Sequence, residues 1–520
     1  MLLIVPNSLI VVEKYRLQFI ALKIRVYIKG CVNMTNKLEG LEPKKVFHYF
    51  EAISQIPRRS GHEKQLSDYM VGFAKERGLE VHQDEYLNVI IKKPGTAGYE
   101  DAPITIIQGH LDMVCEQNEG TDHDFEKDPI DLVIEGAWLT ANGTTLGADN
   151  GIAIAYAMAL LDAEDIPHPP LEVVMTTDEE VGLTGALKMD KSLLKGSYFI
   201  NLDSEEEGEL TVGCAGGLKA TLRLPISHTV KVFDEAKVQV IEIKNLKGGH
   251  SGVDIDKNRA NADHLMGRIL SHLRKGCSFR IVDFVGGSKD NVIPREAKAI
   301  IVYESVDHSS FENLYEEVKA QIKKENRTVE PALTIDIKSM EYNKSLKVFS
   351  RKTTDQLIYT LINVPKGIQT MSADLEGMVE SSLNLGKCAV EGDTVVMLFA
   401  IRSNIRSLKY HMTTQLEWFA KQIGATLTPT ADYPEWEFKP DSRLLDKAAL
   451  VYDDMFKKKP LVKAIHAGLE PGAFLEKLPH LDAISFGPDM EEVHSPNERL
   501  HIESTMRTWE FLKALLKALK

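Results

Sequence analysis

The feature that most constrains this chain is a set of five short segments carrying histidine or acid. Each lies at or just past the end of an apolar run that reads as a β-strand. In order they are His110-Leu111-Asp112, Asp149-Asn150-Gly151, Asp178-Glu179-Glu180, Asp203 and, far downstream, His494. A chain that alternates such strands with helices forms a largely parallel sheet, and parallel sheets place ligands outside the carboxyl ends of their strands. The five segments together offer two imidazoles and several carboxylates, the ligand set required by a pair of divalent metal ions.

Size and composition narrow the field. At 520 residues the chain exceeds one core, so two or more domains are expected. A formal net charge of −14 argues against a general nucleic-acid surface or an anionic-membrane surface. The five cysteines are scattered, odd in number and without a Cys-x-x-Cys pair. That pattern excludes a disulfide framework or cysteine zinc site and fits a reducing cytoplasm. Cys115, close to the His110 segment, reads as a small buried residue.

The stretch Met1 to Val12 is mostly apolar, but its uncharged run ends at Glu13. It is too short and too soon charged for a membrane span, and it lacks the order of a secretory signal. The expectation is that Met34 is the true start and that residues 1–33 are an unstructured or mis-assigned extension.

From Glu42 the pattern is α/β. Helices are expected at Val46 to Ile56, after a Ser60…Glu63 capping box, and from Gly151 to Leu161. Strands are expected at Asn88–Ile91, Ile104–Ile107, Leu171–Thr176 and Tyr198–Leu202. After Gly217 the character changes, with strands at Val238–Ile243, Lys298–Val302 and Val395–Ile401 and helical spacing over Asn261–Leu273. A helix at Leu444–Phe456, strands at Leu461–Ile465 and Ala483–Phe486, and a helix at Ile502–Leu519 then complete the first domain. The expected fold is α/β: a mixed, mainly parallel sheet with helices on both faces over 34–216 and 433–520, plus an inserted α/β lid domain over 217–432.

Each chemical residue has a plainer reading when taken alone. His110 and Asp112 stand two apart at a strand end and face the same way, which suits an imidazole oriented by a carboxylate. Asp149 in its tight turn equally reads as a helix cap. Glu179 and Glu180 read as either a working pair or a solvated acidic turn. Asp203 is a better ligand candidate than the Glu205-Glu206-Glu207 run that follows it, which reads as solvated surface. His494 and His501 are loop histidines, and His501 is left in that role.

Taken in order, Gly109-His110-Leu111-Asp112-Met113-Val114, Gly147-Ala148-Asp149-Asn150-Gly151, Asp178-Glu179-Glu180-Val181-Gly182, Asn201-Leu202-Asp203 and Val493-His494-Ser495-Pro496 carry a resemblance. The chain resembles the co-catalytic zinc aminoacylases and dipeptidases, and among them the aminoacyl-histidine, or non-specific carnosine-splitting, branch. The likeness runs from Glu42 to Lys520. It implies that His110 and Asp203 hold one metal, Glu180 and His494 the other, and that Asp149 bridges them. It implies Asp112 behind His110 as its orienting partner, and Glu179 as general base. In the insert, His250 of Lys247-Gly248-Gly249-His250-Ser251-Gly252 resembles the lid histidine that helps hold the oxyanion. Asn291 and Arg402 match substrate-binding positions, Arg402 for the free carboxylate, and Gly468, outside the insert, matches a backbone contact.

The resulting expectation is a cytoplasmic metallodipeptidase with two divalent ions, zinc first and cobalt or manganese as alternatives. It would cleave unblocked dipeptides, including Xaa-His and β-alanyl-histidine. Its partners would be small peptides, with neither nucleic acid nor membrane, and a homodimer is one option. The competing readings are an N-acyl amino acid deacylase of the same family and a non-catalytic metal- or peptide-binding protein. The size of the insert disfavours the first, and the complete ligand set with Glu179 disfavours the second.

Overall fold

The computed structural model describes residues 37–229, 233, 235–343 and 346–520, so the expected extension 1–33 lies outside the described residues. Contacts divide the chain into two compact units. The first comprises Met1–Val212, Lys439–Val462 and Ala473–Lys520, and the second Gly213–Phe438 with Lys463–Gly472. Gly468, expected outside the insert, therefore groups with the second unit. Among the described residues no helix is long and apolar enough to cross a membrane.

The sheet of the first unit runs Glu80–Gln83, Val89–Lys93, Leu171–Thr176, Thr105–His110, Tyr198–Asn201, Asp482–Ser485, Glu209–Cys214, Leu461–Ile465. Its four central strands pair in parallel, while Val89–Lys93 pairs antiparallel with Leu171–Thr176 and Glu80–Gln83, and Glu209–Cys214 antiparallel with Asp482–Ser485. Thr105–His110 and Leu171–Thr176 are buried along their whole length. A strand covered on both faces has no solvent side to alternate with, so even its polar members are buried. Gln108 and Glu172 meet partners inside: Gln108 bonds to Asn201, and Glu172 accepts from the Lys195 and Gly196 amides. The helix Ala148–Asp162 packs on Thr105–His110 and on the helix Lys44–Ser54. It is buried on every side from Gly151 to Leu161, and its alternate alanines permit the close approach.

Two local expectations are corrected. The helix after Ser60 begins at Lys64 with no side-chain cap bond. Ser60 and Glu63 turn their side chains to other loops instead: Ser60 Oγ donates to Asp112, and Glu63 Oε1 accepts from the amides of Gly61 and Asp178. Glu63 is almost fully buried, and a buried carboxylate settles where N–H donors converge. Asp149 is not a cap either. Asp149 and Asn150 have non-helical backbone, and the peptide bond between them is cis.

The second unit is built on an entirely antiparallel sheet. Its order is Thr334–Met340, Ala236–Lys244, Ala297–Glu304, Arg280–Gly287, Val379–Glu391, Thr394–Ser403, Gly216–Pro225, Thr426–Tyr433, with Gly367–Met371 paired to Val379–Glu391. Helices Ala262–Leu273, His308–Asn326, Arg351–Asn363 and Arg406–Ile423 supply Met266, Ile269, Leu270, Phe311, Val318, Leu357, Leu361 and Leu416 to one core with the strands. Asn261 caps the first of these helices, accepting from the amides of Asp263 and His264.

Candidate active site

The acidic and histidine residues meet at the carboxyl end of the parallel strands, as the strand-end pattern predicts. His110 is the last residue of its strand. Asp178-Glu179-Glu180 follows the strand ending at Thr176, and Asp203 follows the one ending at Asn201. Asp149 projects from the start of its helix. His494 comes from the loop between the short strands Met490–Glu491 and Arg499–His501, which pair in a separate four-stranded sheet. Asp178 and His494 both hold left-handed backbone, at φ 54° and 59°. Such conformations are costly for residues with a side chain and persist only where surrounding contacts fix them.

Asp149 is the hub. Its Oδ1 lies 3.1 Å from His110 Nε2, and its Oδ2 lies 3.0 Å from His494 Nε2. His110 Nε2 is also 3.5 Å from Asp203, and His494 Nε2 is 3.0 Å from Glu180. His110, Asp149 and Glu180 each offer a ligand atom within 4.8 Å of the others, a grouping able to hold a metal ion.

The charge balance tests that fit. Asp149, Glu180 and Asp203 are largely buried, and among the described residues their only ion-pair partners are the two imidazoles. Burial pushes the Asp203 carboxyl up to about 6, its neighbours Asp149 and Glu180 adding to the effect. Burial also raises Asp149, but the bonds to His110 and His494 outweigh it and hold it below the usual carboxylate range. The bonds to Asp149 and Glu180 push the His494 imidazole up to about 11. Three clustered carboxylates therefore draw protons onto the neighbouring groups, and a divalent cation would answer the same deficit. All five donors are nitrogen or oxygen, which suits zinc, cobalt or manganese.

Asp112, which the sequence pattern names, and Arg58, which it does not, hold this cluster in place. Asp112 is fully buried; its carboxylate lies 3.4 Å from His110 Nδ1, and its own backbone oxygen lies 3.2 Å from that nitrogen. The same carboxylate accepts from Ser60 Oγ at 2.8 Å and from the amides of Glu179 and Glu180 at 3.1 and 3.3 Å. Asp112 thus ties the His110 strand end to the Glu179-Glu180 turn. Arg58, buried, donates Nη1 to the carbonyls of Leu111 and Asp112 at 3.0 Å each and Nη2 to the carbonyl of Gly147. A side chain at Gly147 or Gly151 would collide with that guanidinium.

Glu498 accepts from the amides of Leu146 and Gly147 at 2.8 Å and of Asp149 at 3.2 Å. Asn150 accepts from the His110 amide at 3.2 Å and donates to the Leu202 carbonyl at 2.9 Å, joining two strand ends. Asn150 lies inside a motif segment and Glu498 two residues past one, so proximity in sequence was the available signal. Arg58 had none, since its role depends on carbonyls distant in the chain. Of the acidic run, Glu207 is engaged by Arg507 through two 2.7 Å bonds. His501 serves as a helix N-cap, accepting from the Ser504 amide at 3.1 Å.

The second unit brings together the remaining candidates. Arg402 Nη2 lies 3.3 Å from His250 Nε2, and Nη1 donates to the Tyr433 hydroxyl at 2.9 Å. The His250 loop is fixed by a bond from its amide to Asp254 at 2.8 Å and by a β-bridge between His250 and Val292. Asn291, next to that bridge, accepts through its carbonyl from the Ser251 amide at 2.9 Å. Burial, then the Arg402 charge, lowers the His250 imidazole below its usual value, keeping it neutral. His466 is held by Ser382 Oγ at 2.7 Å and by Asn404 Oδ1 at 3.4 Å. Gly468 lies against the Tyr433 ring.

Comparison with known proteins follows the same lines. The model of peptidase family M20/M25/M40 matches residues 106–518. The cytosol non-specific dipeptidase of Escherichia coli is 39% identical over 487 residues, covering 93% of this chain and 99% of that protein. The crystal structure of aminoacylhistidine dipeptidase from Vibrio alginolyticus matches with a TM-score of 0.88 at 38% identity, covering 93% of this chain and 98% of that one. A tripeptidase from Staphylococcus aureus shares the fold at 15% identity, with a TM-score of 0.52. With the strand-end cluster on one unit and the match spanning nearly the whole described chain, this protein belongs to peptidase family M20/M25/M40.

Proposed function

We propose that this chain is a cytoplasmic metallodipeptidase that hydrolyses dipeptides with free termini, including Xaa-His and β-alanyl-histidine. The names of its Escherichia coli and Vibrio relatives support the substrate class, and the first supports the compartment. The observation that carries the reading is Asp149, whose two oxygens each face a different imidazole, the disposition expected of a carboxylate shared by two centres. His110 and Asp203 would hold one divalent ion and Glu180 and His494 the other, with zinc as the first candidate. When bound, such ions lower the pKa of water toward about 7 and polarise the scissile carbonyl.

The chain's own residues do the rest. Glu179 takes the proton of the attacking water and delivers it to the leaving amine. Asp112 orients His110 through Nδ1 and anchors the Glu179 amide, so one buried carboxylate sets both ligand and base. Arg402 binds the substrate carboxylate with its planar fork. Among the described residues no carboxylate pairs with Arg402, whose contacts are the Tyr433 hydroxyl and the His250 ring, so its charge is left to an incoming anion. His250, neutral, donates to the oxygen on which charge develops. Asn291 and Gly468 line the same binding surface.

The test is hydrolysis of β-alanyl-histidine, Leu-His, Gly-Gly-Gly and an N-acetyl amino acid, before and after chelation and with zinc or cobalt restored. Cleavage of the dipeptides alone, lost on chelation and regained with metal, is the expected result. Cleavage of the N-acetyl substrate alone would transfer the chain to the deacylases, and no cleavage after reloading would overturn the enzymatic reading.

A further inference from the structure

We propose that Tyr433 is a positioning residue that fixes Arg402 for recognition of the substrate carboxylate, and that Gly217 and Gly468 are glycines because the Tyr433 ring occupies the space beside them. The inference rests on the dipeptidase reading and deepens it.

Three adjacent strands carry the arrangement. Arg402 is paired with Gly217, and Gly217 on its other side with Tyr433. The three residues form one row across the sheet. In such a row the side chains of the outer residues meet only if the middle one leaves the space open. A Cβ at Gly217 would fall within the Tyr433 ring. A Cβ at Gly468 would stand 2.9 Å from Tyr433 Cε2. The phenol is therefore confined by two glycines from distant parts of the chain, and its hydroxyl accepts from Arg402 Nη1 at 2.9 Å.

The backbone of Tyr433 is anchored separately. Lys409, fully buried, donates Nζ to the Tyr433 carbonyl at 2.8 Å and pairs with Asp432 and Glu435 at 2.8 Å each. Neither the ring nor the backbone is free to follow the guanidinium, so the guanidinium is held by the ring.

An arginine loses side-chain entropy when it closes on a ligand, and pre-fixing one edge of its fork removes part of that cost before binding. Tyr433 engages Nη1, His250 lies at Nη2, and Nε has no partner. The hydroxyl that accepts from Nη1 retains its own proton, giving a second donor for a carboxylate oxygen. The ligand chemistry is thus a planar carboxylate, and a C-terminal amide would offer the phenol and the guanidinium the wrong charge.

The experiment uses the full-length, metal-loaded protein and its Tyr433→Phe variant, assayed on Leu-His and on Leu-His amide. Losing one hydrogen bond to a charged group is expected to raise KM for Leu-His about tenfold to a hundredfold. kcat should change by less than about threefold, and the preference for free acid over amide should fall in parallel. Gly468→Ala, which pushes on the ring, should shift KM in the same direction. Tyr433→Phe added to Arg402→Ala should cost nothing further. Melting temperature and metal content, unchanged in Tyr433→Phe, separate positioning from folding. An unaltered KM and acid-to-amide ratio in Tyr433→Phe, or additivity with Arg402→Ala, would overturn the inference while leaving the dipeptidase reading intact. A wild-type protein that cleaves no dipeptide would sink both.

Discussion

Arg58→Lys isolates the buried scaffold beneath the cluster. Arg58 reaches the carbonyls of Leu111, Asp112 and Gly147 through a fixed fork. A lysine keeps the charge but presents a single ammonium on a shorter stem, able to serve about one of the three. Hydrogen bonds from a charged donor contribute roughly 1.5–3 kcal/mol each. Losing two, with partial relaxation, costs about 3–4 kcal/mol, and Glu498, whose charge Arg58 offsets, adds to that. For a folded body of this size each kcal/mol lowers the melting temperature by about 2–4 °C, so a fall of about 6–16 °C is expected.

The same change should weaken metal retention, because Leu111 and Gly147 flank His110 and Asp149 in the chain. Calorimetric melting with and without chelator, alongside metal content after dialysis, measures both effects. A variant that melts within about 1 °C of wild type and keeps its full metal content would refute the idea that Arg58 supports the site.

Glu179→Gln should retain the metal complement while turnover falls by about two to four orders of magnitude, read by metal analysis and steady-state assay; near-normal kcat would assign the base elsewhere. His494→Ala removes the partner of both Asp149 and Glu180. It should lower bound metal to about half along with the rate, and full occupancy on metal analysis would contradict the ligand assignment. Arg402→Ala should raise KM for free dipeptides about a hundredfold and leave amidated ones nearly unchanged, and equal loss on both would remove the carboxylate role. Burial lowers His264 and His466 to about 3, so both are neutral in the fold and charge only on unfolding. The unfolded chain then binds more protons between the usual histidine value near 6.5 and about 3. Stability must fall as pH drops through that window, by about 1.4 kcal/mol per pH unit for each histidine. His264→Asn should flatten the dependence of the urea midpoint between pH 6.5 and 4, and an unchanged slope would show that His264 titrates normally in the fold.

What the sequence carried best was whatever local pattern dictates. Leu171–Thr176 and Leu461–Ile465 appear at the expected bounds, because a short, mostly apolar stretch that starts directly after a proline leaves few other options. The strand-end positions of His110, Asp203 and the Glu179-Glu180 turn followed from the parallel sheet. Partners set by distant chain segments were hidden. The capping-box reading at Ser60 failed because Asp112 and Asp178 compete for the same side chains. Arg58 looked like an ordinary charged residue, and only the fold brings three carbonyls to it. Much of the antiparallel sheet was equally opaque. Val379–Glu391 holds serines, an asparagine and a lysine among its apolar residues, so its burial depends on three neighbouring strands from other stretches of chain. Tyr433 gave no signal at all, since the space it fills is defined by two absent side chains.

The chain passes from one compact unit to the other after Val212, Phe438, Val462 and Gly472. A fragment cut as a single cassette from Gly213 to Phe438 would omit the returning stretch. It would lose His466, the partner of Ser382 and Asn404, and Gly468, which borders Tyr433. Swapping that cassette between relatives would therefore mix two lineages inside one cluster of contacting side chains, and a functional chimera must carry Lys463–Gly472 along with the insert.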